Sequence, residues 1–136
     1  MHRVLRMLGD TASIIMISSM TGKRPLYGRT PYAASKMALV GIARTLAWEV
    51  GEYGIRVNVI SPGAVEGERI KRVVRNQAAA QGISEEVALQ QFTSNSPLGR
   101  LVPPGDIAAS AIFLASDRAA SITGEDLNVS AGTVMY

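Results

Sequence analysis

From Ser13 to Ile17 the chain reads Ser-Ile-Ile-Met-Ile, an unbroken apolar, β-branched run of strand length. A strand with one wet face alternates apolar and polar residues, so an unbroken run implies burial on both faces, as in a parallel sheet covered by helices. The following residues point the same way. A loop of turn formers occupies Thr21 to Arg29, and a long helical segment then begins, with Thr30 as its cap and Pro31 in its first turn, where a missing N–H costs nothing. The helix is predicted to run to about Val50 and to stop at Gly51 or Gly54. Leu39, Ile42, Leu46 and Val50 supply an apolar stripe at helical spacing. Ala33, Ala34, Ser35, Ala38, Gly41, Ala43 and Ala47 make the same helix rich in small residues, open to close approach at some cost in helix stability at Gly41. Ile55 to Ile60 is a second strand, ended by Ser61-Pro62-Gly63. Strand, long helix, strand is a right-handed βαβ unit with parallel strands.

The remainder continues the alternation. Residues 3 to 9 read as the end of a helix stopped by Gly9 and Asp10. The polar region from Glu66 to Arg100 carries helices near 67–81 and 85–93, the second capped by Ser84 with Glu85 and Glu86 in its first turn. Gly105 or Asp106 opens an amphipathic helix with Ile107, Ala111, Ile112, Leu114 and Ala115 as core positions, and Asp126 to Val129 is a short last strand. The fold class is α/β: three parallel strands with flanking helices. At 136 residues the chain is one domain without repeats.

Composition removes several kinds of function. No apolar stretch is long enough to cross a bilayer and no secretory signal is evident, so a cytoplasmic location is the default expectation. With no Cys and His2 as the only histidine, disulfides, a Ser-His-Asp triad, a Cys-His pair and a zinc site are not expected. The net charge of +3 includes one basic cluster, Arg69, Lys71, Arg72 and Arg75. It reads as a solvated helix face rather than a phosphate-binding patch, because Glu66 and Glu68 precede it and no aromatic residue interleaves. Nucleic-acid binding is not expected.

The residues with chemistry lie on the rim of the sheet. Tyr32 and Lys36 are four apart on the long helix and share a face; of the four tyrosines only Tyr32 has this spacing. A free tyrosine has a pKa of about 10, and an adjacent ammonium favours its phenolate, bringing proton exchange with an alcohol or carbonyl oxygen within reach. In isolation the pair reads as an exposed helix face. Its setting changes that reading, because Ser18 and Ser19 follow the buried strand directly, and open α/β sheets gather reactive groups at the carboxyl ends of strands. Ser61-Pro62-Gly63 ends the next strand on the same rim, where a glycine lets a flat ring approach the backbone.

These pieces together resemble the short-chain dehydrogenase/reductase family. The matching stretches are Ile-Ile-Met-Ile-Ser-Ser-Met-Thr-Gly at 14–22, Pro-Tyr-Ala-Ala-Ser-Lys at 31–36, Ile-Arg-Val-Asn-Val-Ile-Ser-Pro-Gly at 55–63 and Ile-Thr-Gly-Glu-Asp-Leu-Asn-Val at 122–129. Ser19, 13 residues before Tyr32, takes the place of the family's serine. The resemblance implies the C-terminal half of a Rossmann-type doubly wound sheet and an oxidoreductase that interconverts an alcohol and a carbonyl with NAD or NADP. It implies Tyr32 as acid/base, Ser19 as holder of the substrate oxygen, and Lys36 as partner of both Tyr32 and the nicotinamide ribose. Pro62, Gly63 and the backbone of Val65 would frame the nicotinamide ring. Residues 66–100 would form the substrate lid, with Phe92 and Leu98 lending it apolar character. The 31–50 helix would pair subunits of a homo-oligomer. The family includes 3-oxoacyl reductases and enzymes of sugars, polyols and steroids.

The sequence also departs from that pattern. Family members are roughly twice as long, the full sheet needing two βαβαβ halves. No two of the 13 glycines are two residues apart, so the Gly-x-Gly turn that cradles a pyrophosphate is absent, as is the residue that selects NAD or NADP. The family's asparagine would lie upstream of Met1, the usual threonine is not evident at Glu66 and Gly67, and Ser130 stands where many members carry Asp. The expectation is therefore a partial Rossmann-type domain over 1–136: a fragment, a truncated gene model or a degraded gene. One edge of the Ser13–Ile17 strand would then face water. A second possibility is a non-catalytic chain that acts by associating with full-length relatives.

Overall fold

The computed structural model of the chain describes residues 12–136, so the helix end expected at residues 3–9 lies outside the described residues. Strand β1 (Ala12–Ile17) leads through a 3-10 turn at Met20–Gly22 into helix α1 (Thr30–Val50), and a second 3-10 turn precedes β2 (Ile55–Pro62). Helices α2 (Glu68–Gln81), α3 (Glu85–Thr93) and α4 (Pro104–Ala115) follow, and β3 (Asp126–Val129) closes the order. The sheet runs β1-β2-β3, with both pairings parallel. Ile17 lies opposite Ile60 and Pro62 opposite Val129. The expected α/β architecture of three parallel strands is what forms.

Side-chain alternation along β2 builds two cores. Ile55, Val57 and Val59 face α1 and pack with Val40, Ala43, Ala47 and Val50, while Ile60 faces the other way against Leu114 and Ala119. Of the expected stripe Leu39, Ile42, Leu46 and Val50, Val50 is buried and Leu46 packs against the core, while the rest of the buried line is Val40, Ala43 and Ala47. Leu39 and Leu46 are half-buried and Ile42 is 49% exposed. Ala43 and Ala47 take the middle of the buried line, against the β-branched residues of β2, with Val40 and Val50 at its ends. In α4, Leu114 is buried and Ile107 and Ala111 pack beside it, whereas Ile112 and Ala115 are exposed, contrary to expectation. The helix covers a narrow sheet with a single stripe, and those two positions fall outside it.

Helix ends follow local chemistry with small shifts. Thr30 is the first helical residue of α1 rather than its cap; Arg29 holds the cap position without a side-chain bond, and its carbonyl accepts from Ala33 N at 2.7 Å. The helix ends at Val50, Gly51 opens the 3-10 turn, and Gly54 takes the left-handed conformation (φ 69°) that releases the chain into β2. Ser84 caps α3 as expected, accepting from Val87 N at 3.2 Å. Helix α4 begins at Pro104, one residue before the expected start.

Polar residues of β2 tie the sheet to its neighbours. Arg56 donates to the Leu114 and Ser116 carbonyls at 2.7 and 3.1 Å, satisfying the carboxyl end of α4. Buried Asn58 donates to Ile122 O and accepts from Glu125 N, at 2.8 and 3.1 Å. Thr123 Oγ1 accepts from Val57 N at 3.0 Å. The 122–125 turn is thereby fixed against β2, setting where β3 starts. Helices α2 and α3 form a hairpin with its own small core of Val74, Ala78 and Ala88. Among the described residues no helix is long and apolar enough to cross a membrane.

Candidate active site

The carboxyl ends of β1 and β2 lie side by side, and Ser18 N donates to Ile60 O at 2.8 Å, continuing the ladder one step. At Ser19 the chain turns. Ser19 caps the Met20–Gly22 turn, its Oγ accepting from Thr21 N and donating to Thr21 Oγ1, both at 3.2 Å. Gly22 allows that turn to lie against α1, since a Cβ there would meet Met37 at 2.4 Å.

The two adjacent serines are not equivalent. Ser18 Oγ donates to the Lys36 carbonyl at 2.8 Å and so docks β1 to α1. The Ser19 hydroxyl donates only to another hydroxyl, a bond it can exchange for a ligand oxygen by rotating about its own C–O axis.

Lys36 Nζ donates to the Ile17 carbonyl at 3.0 Å, so the last residue of β1 fixes the ammonium. From there it lies 5.8 Å from the centre of the Tyr32 ring. Both side chains are half-buried. The expected face of α1 thus exists, anchored at one end by the strand.

The loop after β2 forms the opposite wall. Pro62, Gly63 and Val65 line the same cleft of about 460 Å³ as Ser19, Tyr32 and Lys36. Gly63 has a reason for lacking a side chain that the sequence did not indicate. A Cβ there would lie 2.8 Å from Ser130 Cα, so the glycine is required by the backbone that follows β3. Val65 pairs with Val102 in an isolated parallel bridge, through Glu66 N to Val102 O at 2.9 Å and Val102 N to Ala64 O at 2.8 Å. These bonds flank Val65 and leave its own N–H and C=O on the opposite side of the segment.

Three features were missed or misjudged from sequence. Arg29 and Arg69 both line the cleft, and the Arg69 guanidinium carbon is 5.7 Å from the Tyr32 ring centre. Arg69 thus separates from the basic cluster, for Lys71, Arg72 and Arg75 do not line the cleft. Arg29, Tyr32 and Lys36 share the spacing of one helix face, a signal available in the sequence. Of the two lid residues expected to be apolar contacts, Phe92 lines the cleft but Leu98 does not and is 62% exposed.

Charges near the cleft are distributed unevenly. Glu68, at the start of α2, pairs with Lys71 at 2.8 Å, and that hydrogen bond holds its carboxyl below its usual value. Beside the cleft, Lys23 and Asp126 form an almost buried ion pair at 2.9 Å, with Ser61 Oγ donating to Asp126 at 2.6 Å. Among the described residues no group of three or more His, Cys, Asp or Glu is placed to hold a metal.

The chain is similar to several known proteins. Residues 1–134 match the family model described as enoyl-(acyl carrier protein) reductase. The chain is 38% identical over 122 residues to a 3-oxoacyl-(acyl-carrier-protein) reductase of Vibrio harveyi, covering 90% of this chain and 46% of that protein. It is similar to a solved short-chain dehydrogenase family protein of Francisella tularensis, with a TM-score of 0.85, 31% identity, and coverage of 91% of this chain and 51% of the other. A variant of actinorhodin polyketide ketoreductase, crystallised with NADPH, matches with a TM-score of 0.87 and 33% identity over 96% of this chain and 50% of the other. The chain spans about half the length of these relatives.

Proposed function

We propose that this chain, which belongs to the short-chain dehydrogenase/reductase family, is the catalytic half of an oxidoreductase that interconverts an alcohol and a carbonyl with NADH or NADPH. One observation carries the reading: Ser19, Tyr32 and Lys36 converge on a single cleft whose far wall is the Pro62–Val65 loop. Tyr32 passes its phenolic proton to the carbonyl oxygen in reduction and takes it back in oxidation. The Ser19 hydroxyl donates to the same oxygen, offsetting charge that develops there. The Lys36 ammonium, held by Ile17 O at 3.0 Å, stabilises the phenolate left behind.

The residues present fit a nicotinamide riboside. Val65 offers one N–H and one C=O side by side, the pair a carboxamide requires, while Pro62 and Gly63 supply a flat wall. Lys36 and Tyr32, which line the same cleft, would take the ribose hydroxyls. When bound, the nicotinamide supplies or accepts the hydride. The pyrophosphate end has no counterpart here, since the sequence contains no Gly-x-Gly. Residues 66–100 serve as the lid, with Ile70, Val73 and Phe92 turned into the cleft.

The test is a nicotinamide-absorbance assay on the full-length protein with NADH and NADPH and a panel of 3-oxoacyl thioesters and small ketones. Cofactor binding with turnover of any carbonyl supports the reading; neither binding nor turnover with either cofactor refutes it.

We also propose that α1 pairs with α1 of a second copy. Its outer face carries Trp48 at 91% exposure and Ile42 at 49%, beside exposed Ala34, Ala38 and Gly41 that permit close approach. Trp48→Asp is expected to lower the assembly state in sedimentation; a monomeric wild-type protein would refute the pairing.

A further inference from the structure

We infer that the substrate of this cleft carries an anionic group, a carboxylate or a phosphate, held between Arg29 and Arg69 close to the reacting carbonyl. The inference deepens the oxidoreductase reading and rests on it for the identity of the reacting group. Three cations line the cleft, Arg29, Lys36 and Arg69, against one carboxylate, Glu66. Lys36 is engaged with Ile17 O and Tyr32. Among the described residues neither Arg29 nor Arg69 forms an ion pair, and the nearby Glu68 is taken by Lys71. The two arginines come from separate segments, the loop before α1 and the first turn of α2, and line one cleft, with the Arg69 guanidinium carbon 5.7 Å from the Tyr32 ring centre.

Guanidinium groups present a planar fork that matches carboxylate and phosphate. Both arginines are exposed, and Leu26, Ile70, Val73 and Phe92 line the same cleft beside them. The walls suit a short hydrocarbon body, and the guanidiniums suit its charged end. A phosphate could also come from the cofactor, so the experiment must separate the two sources.

The full-length protein is assayed with acetoacetate and 4-oxopentanoate and with their ethyl esters, as wild type and as Arg29→Gln and Arg69→Gln. The acids are expected to exceed their esters at least about tenfold in kcat/KM, and each variant to lose about 10- to 100-fold on the acids, mostly in KM. Losses on the esters and changes in the KM for NADPH are expected to be at least about tenfold smaller than the losses on the acids. Equal rates for acids and esters, or equal losses on both, overturn the inference. So does a rise in cofactor KM with the acid-to-ester ratio unchanged, which would assign the guanidiniums to the cofactor's phosphates. A thermal-shift titration with the same acids keeps the inference testable if no hydride transfer occurs. Stabilisation by the acids that is absent from the double variant would support it even where neither cofactor binds nor turns over, the result that refutes the oxidoreductase reading. No stabilisation and no turnover overturns it.

Discussion

Gly63→Ala is expected to destabilise the protein by about 1–3 kcal/mol, through backbone overlap rather than through the cleft it lines. The added Cβ would stand 2.8 Å from Ser130 Cα, 3.1 Å from its carbonyl oxygen and 3.2 Å from its carbonyl carbon. Carbon atoms pack best at about 3.5–4.0 Å, so the overlap with Cα alone is about 0.7 Å or more. No side chain can swing aside to relieve it. Gly63 N donates to Val129 O at 3.0 Å, Pro62 is in register with Val129, and Ser130 is itself pinned by hydroxyl bonds to Val134 O and N at 3.1 and 3.2 Å. Gly105→Ala supplies the opposite case. A Cβ there meets nothing within 4 Å, in the first turn of α4, and is expected to stabilise by about 0.4–1 kcal/mol by restricting the unfolded chain. Urea denaturation of the wild type and both variants reads the difference as shifts of midpoint in opposite directions at a common slope. A Gly63→Ala protein as stable as wild type would refute the reasoning, because the β2–β3 contact would then have slack that the geometry denies.

Other substitutions separate roles that lie close together. Ser18→Ala is expected to cost about 1 kcal/mol with turnover largely kept, since its hydroxyl docks β1 on the Lys36 carbonyl. Ser19→Ala is expected to abolish most turnover with little change in melting temperature; the two measurements swapping places would reverse the assignment. Asp126→Ala leaves the Lys23 ammonium uncompensated where its side chain is only 10% exposed, and is expected to cost about 3–5 kcal/mol in denaturation. Arg56→Ala strips the carboxyl end of α4 of two charge-assisted bonds and is expected to lower stability by about 1.5–3 kcal/mol.

Elements with their own punctuation were legible in the sequence. The unbroken run at Ser13–Ile17, the Ser84 cap, and the Gly51 and Gly54 stop all describe local chemistry, and each element sits within a residue or two of its expected place. Which face of a helix turns inward was less legible. Ile42 outranks Ala43 in hydrophobicity, yet Ala43 is buried and Ile42 is not, because the contact with β2 decides which face of α1 turns inward. The same holds for Ile112 on α4.

The site divides along a similar line. That Ser19, Tyr32 and Lys36 would meet at one cleft was legible, because they stand at one strand end and on one helix face. Arg69 was not, since its sequence neighbours Lys71, Arg72 and Arg75 suggested a solvated face. Only the fold of α2 over the rim brings Arg69 against Tyr32 and leaves the other three outside the cleft. At Gly63 the sequence suggested room for a flat ring to approach; the close approach of Ser130 on its other side was not legible.

The central claim is that Tyr32 exchanges the proton, and Tyr32→Phe in the full-length protein tests it most directly. The ring stays and only the hydroxyl is lost, so the melting temperature is expected to hold and the cofactor still to bind, less its ribose contact to Tyr32. Turnover is expected to fall by at least about 10²- to 10⁴-fold, the contribution of a positioned general acid. A variant that keeps its kcat within about tenfold of wild type, with cofactor still bound, would contradict the claim.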